Sequence, residues 1–186
     1  MNCKSFEWFV YYVMPEMAIP PMDAKYYGEL TNSKSQACWE VQDDFAIGMT
    51  YFCFFHKIIP KNNFALTVDG RLTYREKCVR ITPPDPVLTV GECPRTDKER
   101  ESFGIWELEN QGQVWGKMKV KRRRDDGVWE HFCITQVTNI MDKHKGEQMP
   151  QIGGDCQDNN DFQTWSWTYG LDWTQVPTSA LTKYRN

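Results

Sequence analysis

The sequence predicts an all-β fold built from three similar parts, and three observations indicate it. Aromatic residues, which favour strands, make up 14% of the 186 residues. Short strand-like runs are separated by frequent turn signals, and no stretch after residue 30 keeps a helical period for three turns. A unit of two cysteines and a closing aromatic residue occurs three times. Short strands of this kind are typical of a sandwich or barrel, and the repeat narrows this to a threefold architecture.

The repeated unit ends in a tripeptide whose last residue is aromatic. The three tripeptides are NNF, GIW and QTW, and they end at Phe64, Trp106 and Trp165. Only the third keeps the pattern Gln-x-Trp. One unit alone cannot bury its own ring, so we expect the three rings to meet in one shared core.

Two hairpins are the clearest local elements. The run QVWGKMKVK alternates in side-chain type, with Trp115 and the lysines on one face and these apolar residues on the other: Val114, Met118 and Val120. The turn signal Asp126-Gly127 follows this run. Asp69-Gly70 separates two further strand-like runs in the same way, so both dipeptides are expected at hairpin turns.

Six of the seven cysteines form three successive pairs along the chain: Cys38 with Cys53, Cys78 with Cys93, and Cys133 with Cys156. A disulfide that closes a loop of about 15 residues stabilises a fold by roughly 3 kcal/mol in the chain-entropy model. Local pairing would indicate an oxidising compartment. The alternative is six reduced thiols in a cytosolic protein, because spacing alone does not fix the connectivity. Cys3 is left without a partner.

Charge and hydropathy argue against two classes of partner. The net charge of -3 gives no reason to expect nucleic acid. The basic run KVKRRRDD at 119–126 carries its own aspartates, so a solvated hairpin turn is expected there. The longest apolar run spans 8–14, whereas a membrane helix needs about 20 residues. We therefore expect no nucleic-acid partner, no membrane segment and no signal peptide in this sequence.

A unit with a first cysteine, a second cysteine and a closing tripeptide occurs three times, and the third copy closes with Gln-x-Trp. This repeat resembles that of the ricin-type β-trefoil lectins. The segment NCKSFEWFVYYVMPEMAIP at 2–20 resembles the end of the catalytic domain of polypeptide N-acetylgalactosaminyltransferases, which leads there into such a lectin domain. The matching residues are Asn2, Cys3, Lys4, Phe6, Trp8, Pro15 and Glu16. The resemblance implies a catalytic-domain remnant and linker over 1–25, a β-trefoil over 26–176 and a tail over 177–186. It also implies that the partner of Cys3 lies in the catalytic domain.

The resemblance implies a sugar subsite with four kinds of group. A carboxylate follows the first cysteine by two residues, an aromatic ring precedes the second cysteine by two, and an imidazole and an amide complete the set. Charged acceptors make the stronger hydrogen bonds to sugar hydroxyls. In the first unit these groups are present, so the predicted carbohydrate-binding residues are Glu40, Tyr51, His56 and Asn62.

The other two units lack this set. Arg80 stands at the carboxylate position of the second unit and Gly91 at its aromatic position. Thr135 and Gly154 stand there in the third unit. A cation cannot accept hydroxyl protons, so we expect neither unit to bind sugar. Trp39, beside Glu40, is expected in the core.

The resemblance implies weak recognition of GalNAc on glycosylated polypeptides, in the Golgi lumen or secretory pathway. No catalytic residue, metal ligand or cofactor is predicted in this chain, because the manganese of the family belongs to its catalytic domain. Sugar transfer by this chain alone is therefore not expected. Two alternatives stay open. One is a decayed lectin that acts only as a structural or protein-interaction module, and the other is an active transferase whose catalytic half lies outside this sequence.

Overall fold

The structure is a computed structural model that describes residues 20–51, 53, 62–81, 87–109, 113–124, 126–138 and 146–171. This part of the chain contains twelve strands, one short α-helix and a 3-10 helix. The elements, in chain order, are β1 (Ala24–Asn32), β2 (Cys38–Val41), β3 (Ile47–Thr50), β4 (Phe64–Thr67), β5 (Leu72–Tyr74), β6 (Lys77–Ile81), β7 (Leu88–Gly91), α1 (Asp97–Phe103), β8 (Ile105–Glu109), β9 (Trp115–Arg123), β10 (Trp129–Thr138), β11 (Gln148–Ile152), the 3-10 helix (Asp161–Gln163) and β12 (Thr164–Gly170).

The strands form three sets of four, one set for each sequence unit. The first and fourth strands of each set belong to a barrel, in which β1 pairs with β4 and β12, β4 with β5, and β9 with β8 and β12, all antiparallel. Between β5 and β8 the Trp106 amide donates to the Gly70 carbonyl at 2.8 Å, which links these last neighbours. The second and third strands of each set form a hairpin. This is the architecture of a β-trefoil, as the sequence predicted.

The three hairpins, β2–β3, β6–β7 and β10–β11, contact one another and cap the barrel. Isolated bridges join Ala46 to Thr89 and Val87 to Gln151, so the second hairpin is hydrogen-bonded to both of the others. The strand segments described begin at Ala24 and end at Gly170. The predicted domain limits at 26 and 176 lie close to these ends and stay predictions.

The closing aromatic residues share one hydrophobic core. Phe64, Trp106 and Trp165 are at most 2% exposed and lie in a single buried cluster. The Trp39 ring lies edge-on between the rings of Phe64 and Trp165, with centroids 5.6 Å apart in both cases. Edge-to-face contacts of this kind stabilise aromatic pairs beyond their buried area. The predicted shared core is therefore confirmed, as is the core position of Trp39.

Each cap hairpin carries its own disulfide. The bonds are Cys38–Cys53, Cys78–Cys93 and Cys133–Cys156, with sequence separations of 15, 15 and 23. In each case the first cysteine lies on the outgoing strand of the hairpin and the second follows the returning strand. The predicted local pairing is confirmed, and it fits folding in an oxidising compartment. Cys3 lies outside the described residues.

Both predicted turns are present. Gly70 and Gly127 have φ angles of 82° and 85°, and they lie in the connections β4–β5 and β9–β10. Along β9, Met118 and Val120 are buried while Trp115 is 53% exposed, as the alternation predicted. Val114, which belongs to the same alternating run, precedes the strand and is 37% exposed.

The short helix α1 was not predicted from hydrophobic periodicity, because seven residues give only two turns. Its local signal is a capping box. The Glu99 amide donates to Thr96 Oγ1 at 3.2 Å, and the Thr96 amide donates to Glu99 Oε2 at 3.3 Å. The sequence TDKE thus marks the helix start. Among the described residues no helix is long and apolar enough to cross a membrane.

The β4–β5 turn is fixed by a half-buried network of hydrogen bonds and ion pairs around the Asp69 carboxylate. Arg71 Nε donates to Asp69 Oδ2 at 2.9 Å, and Thr67 Oγ1 donates to Oδ1 at 2.5 Å. Arg71 also reaches Asp23, and Arg100 on α1 lies 3.4 Å from Asp69 Oδ2. Burial raises the pKa of Asp69, but the hydrogen bonds from Thr67 and Arg71 outweigh it, and the pKa lies below its usual range.

Candidate functional site

The cap hairpins present three equivalent positions, each two residues after the first cysteine of its disulfide. Strand register places Glu40 opposite Gly48, Arg80 opposite Thr89 and Thr135 opposite Gln151. Their side chains leave the strand on the face opposite to the core residue that precedes each of them, because side chains alternate along a strand. The chemistry of this position therefore decides what each hairpin can bind.

In the first hairpin the position is a half-exposed carboxylate. Glu40 lies on β2 between Trp39 and Val41, which are both buried. Its cross-strand neighbour Gly48 has no side chain, and the amide group of Gln42 lies over that glycine. Because Gly48 lies opposite Glu40, the amide and the carboxylate share one surface, and Gln42 Nε2 also donates to Glu147 Oε2 at 3.3 Å. The sequence analysis missed Gln42, although its place two residues after Glu40 was a usable signal.

Of the predicted ring and imidazole, the structure describes only the ring, Tyr51. Tyr51 follows β3 directly and is 62% exposed, at the end of the hairpin that the Cys38–Cys53 disulfide closes. It is therefore presented to solvent on the same hairpin as Glu40. His56 lies outside the described residues, so its part in the site stays a prediction.

Asn62 is fully buried, although it was predicted to bind sugar. Its Nδ2 donates to Sγ of Cys38 at 3.4 Å, from the place in the unit that Gln163 holds in the third. The same kind of contact joins Gln163 Nε2 to Thr135 Oγ1 at 3.0 Å. Asn62 thus ties the closing tripeptide to β2, and contact with a sugar would require another arrangement of this amide.

In the second and third hairpins the side chain at this position packs against its own hairpin. The guanidinium of Arg80 lies over Gly91, with Cζ 2.5 Å from where a Cβ of residue 91 would stand. In the third hairpin Thr135 packs on Gly153 and accepts the Gln163 hydrogen bond. Gln163 Oε1 in turn accepts from the Gln157 amide at 2.8 Å. In these two units the side chains hold the hairpin together.

Within the described residues, no group of three or more histidine, cysteine, aspartate or glutamate side chains could hold a metal ion. The tripeptide Asp142-Lys143-His144 holds two residue types that can ligate a metal ion. It stands between β10 and β11, outside the described residues, so the expectation of no metal site is not tested there.

Comparison with known proteins finds similarity to N-acetylgalactosaminyltransferases. No protein-family model matches the chain. The chain is 29% identical over 182 residues to the probable N-acetylgalactosaminyltransferase 6 of Caenorhabditis elegans. This alignment covers 90% of the chain and 26% of that protein. It is 25% identical over 116 residues to the polypeptide N-acetylgalactosaminyltransferase 6 of Homo sapiens, covering 58% of this chain and 18% of that protein. The chain thus spans about a quarter or less of the length of these relatives.

Solved structures agree on the fold. The crystal structure of GalNAc-T7 with UDP, GalNAc and Mn2+ superposes with a TM-score of 0.55 at 13% identity, over 91% of this chain and 28% of that one. A non-toxic homologue of type II RIPs from bitter gourd, Momordica charantia, in complex with α-methyl-D-galactoside gives 0.50 at 14% identity, over 78% and 49% of the two chains. Over most of its length this chain is therefore similar to polypeptide N-acetylgalactosaminyltransferases, and its fold is the β-trefoil of the ricin-type lectins.

Proposed function

We propose that this chain is a carbohydrate-binding domain that recognises GalNAc on glycosylated polypeptides through its first unit. The observation that carries the proposal is the difference between the three equivalent hairpin positions. Glu40 is half-exposed beside an amide, whereas Arg80 lies over a glycine and Thr135 is engaged by Gln163. Only a carboxylate can accept hydrogen bonds from two adjacent hydroxyls with full negative charge.

The proposed site uses Glu40 as the acceptor for a pair of sugar hydroxyls and Tyr51 as the ring against the apolar side of the pyranose. Gln42 is added as a polar neighbour, and His56 keeps its predicted role. Asn62 also stays in the proposed set, and it would contact the sugar after its amide leaves Sγ of Cys38. Each hydrogen bond to a charged group contributes roughly 1.5–3 kcal/mol. A shallow site with two or three such contacts must offset several kcal/mol lost on association. Millimolar affinity for free GalNAc is therefore expected.

The relatives support a place in mucin-type O-glycosylation in the Golgi, as the lectin part of a transferase whose catalytic part is not in this chain. In this role the domain holds a glycosylated substrate near an attached catalytic domain. The three disulfides agree with a secretory route.

The test is an NMR titration of the chain with free GalNAc. Amide shifts should centre on β2 and on the end of β3, and Glu40→Gln should abolish them because it removes the charged acceptor at constant size. Glu76→Gln, at an exposed glutamate in the second unit, is the matched control and should bind normally. Thr135→Ala should also leave binding unchanged. Shifts confined to the third unit, with none at β2, would contradict the assignment.

The second candidate is a decayed lectin that serves as a structural or protein-interaction module. The burial of Asn62 favours it, since one of the four predicted sugar contacts is engaged with Cys38 in this structure. Complete absence of GalNAc shifts at millimolar sugar, in a chain whose spectrum shows the native fold, would select this candidate.

A further inference from the structure

We propose a second saccharide site on the barrel wall, in a cleft over β8, β9 and β12, that takes a neutral pyranose. The open cleft measures about 670 Å³, within the size range of small-molecule sites. Its lining residues are Glu109, Gln113, Trp115, Gly116, Lys117, Asp158 and Thr164. None of them belongs to the first cap hairpin, so the proposal stands independently of the GalNAc site.

The platform of this cleft is Trp115. Its indole is 53% exposed at the first position of β9, on the outward face of a barrel whose other side is core. The next residue, Gly116, adds no side chain, and strand register places Trp115 opposite Ser166 on β12. Gly116 and Ser166 are therefore two small neighbours of the ring among the described residues. An exposed aromatic face in a cleft covers the apolar side of a pyranose and removes both surfaces from water.

Polar groups flank the ring on both sides. Lys117 stands next along the same face of β9, opposite Thr164 on β12 and Glu109 on β8. Its ammonium lies 3.1 Å from Asp158 Oδ1, and the Lys117 side chain is only 14% exposed, so this donor is fixed. Carboxylates, an ammonium, an amide and a hydroxyl line the cleft together with this ring, which is the mixture of donors and acceptors that a polyhydroxylated ligand requires.

Both carboxylates of the cleft are paired with lysines, Asp158 with Lys117 inside the cleft and Glu109 with Lys119 beside it, and this decides the class of ligand. The carboxylate of Asp158 pairs with Lys117, and Glu109 Oε1 accepts from Lys119 Nζ at 2.6 Å. A charged ligand would have to break one of these pairs, whereas a neutral sugar adds hydrogen bonds to them. Each carboxylate has two oxygens and so can accept from a sugar hydroxyl while it keeps its ammonium partner.

The experiment is an NMR titration of the whole chain with four probes: methyl α-galactoside, methyl α-glucoside, methyl α-mannoside and N-acetylneuraminic acid. At millimolar sugar at least one neutral glycoside should shift the indole N–H of Trp115 and the amides of Gly116 and Thr164. Trp115→Ala should weaken this binding at least tenfold. Trp129→Ala is the matched control, because Trp129 is also exposed but lies under the Lys121 ammonium, 5.7 Å from its ring.

Glu40→Gln separates this site from the GalNAc site and should leave the shifts at Trp115 unchanged. The proposal is overturned if no neutral glycoside shifts these signals, or if the shifts survive Trp115→Ala. Stronger binding of N-acetylneuraminic acid than of every neutral glycoside overturns the ligand class. A native amide spectrum of the Trp115→Ala variant shows that lost binding is not lost folding.

Discussion

Truncation of Trp165 tests whether the threefold core holds the fold together. Trp165 is fully buried, packs edge-on against Trp39, and donates from Nε1 to the Ile134 carbonyl at 2.9 Å. Trp165→Ala should lower the free energy of unfolding by about 3–5 kcal/mol, because it leaves a cavity of nearly the whole ring. A domain has roughly 5–15 kcal/mol in total, so this is a large share. Urea unfolding under oxidising conditions measures it.

Trp165→Phe divides this loss into its parts. It keeps most of the ring but leaves the buried Ile134 carbonyl without its donor, which costs about 1–3 kcal/mol. Trp115→Ala is the control, since its exposed ring should change stability by about 0.5 kcal/mol or less. A loss below about 1.5 kcal/mol for Trp165→Ala, at an unchanged denaturant slope, would refute the assignment of the closing motif to the core.

Three further outcomes are expected. Non-reducing peptide mapping should recover three crosslinks, each inside one unit, and a crosslink between units would contradict the structure. Gly104→Ala should cost at least about 2 kcal/mol in thermal or urea unfolding, because φ is 110° and its Cβ would stand 2.6 Å from Val120 Cγ2. Gly146→Ala, with φ of 86° and nothing within 4 Å, should cost less. Asp69→Asn should flatten the acid limb of stability below about pH 5, where an aspartate of ordinary pKa begins to take up its proton. The folded pKa of Asp69 is lowered, so its contribution is complete above the unfolded pKa and is lost as pH falls through the folded one. Equal acid limbs in the two proteins would refute it.

The fold was predictable because the threefold repeat is visible in the residues that form the disulfides and the shared core. The paired cysteines and the closing aromatic residues recur in register, and only a threefold arrangement brings Phe64, Trp106 and Trp165 into one cluster. Helix α1 was not predicted because a two-turn helix is too short to show a hydrophobic period. Its capping box was the only sequence signal. The alternation of Val114 with Trp115 did not show where β9 begins, because the run has the same pattern on both sides of the strand start.

The site was less predictable, since it depends on which side chains share a face. Sequence spacing selected Glu40 and Tyr51, both of which reach solvent. It could not show that Asn62 points at Cys38, because a closing tripeptide and a sugar contact both favour an amide there. The cleft beside Trp115 gave no motif at all, because its lining comes from three strands and a distant loop that only the barrel brings together.

The disulfides join cysteines that are near in the sequence, whereas the barrel is closed by strands from the two ends of the described fold. The disulfides can therefore form before the barrel closes. Each disulfide joins cysteines that are neighbours in the sequence, so each can oxidise as soon as its own unit has left the ribosome. Among these six cysteines the native pairs are then also the first pairs available as the chain is made. The pairing of β1 with β12 must wait for the last unit, because it joins the two ends of the described fold. The hairpins can thus be covalently finished while the barrel is still open, and the apolar inner faces of β1 and β4 stay uncovered until β12 has been made.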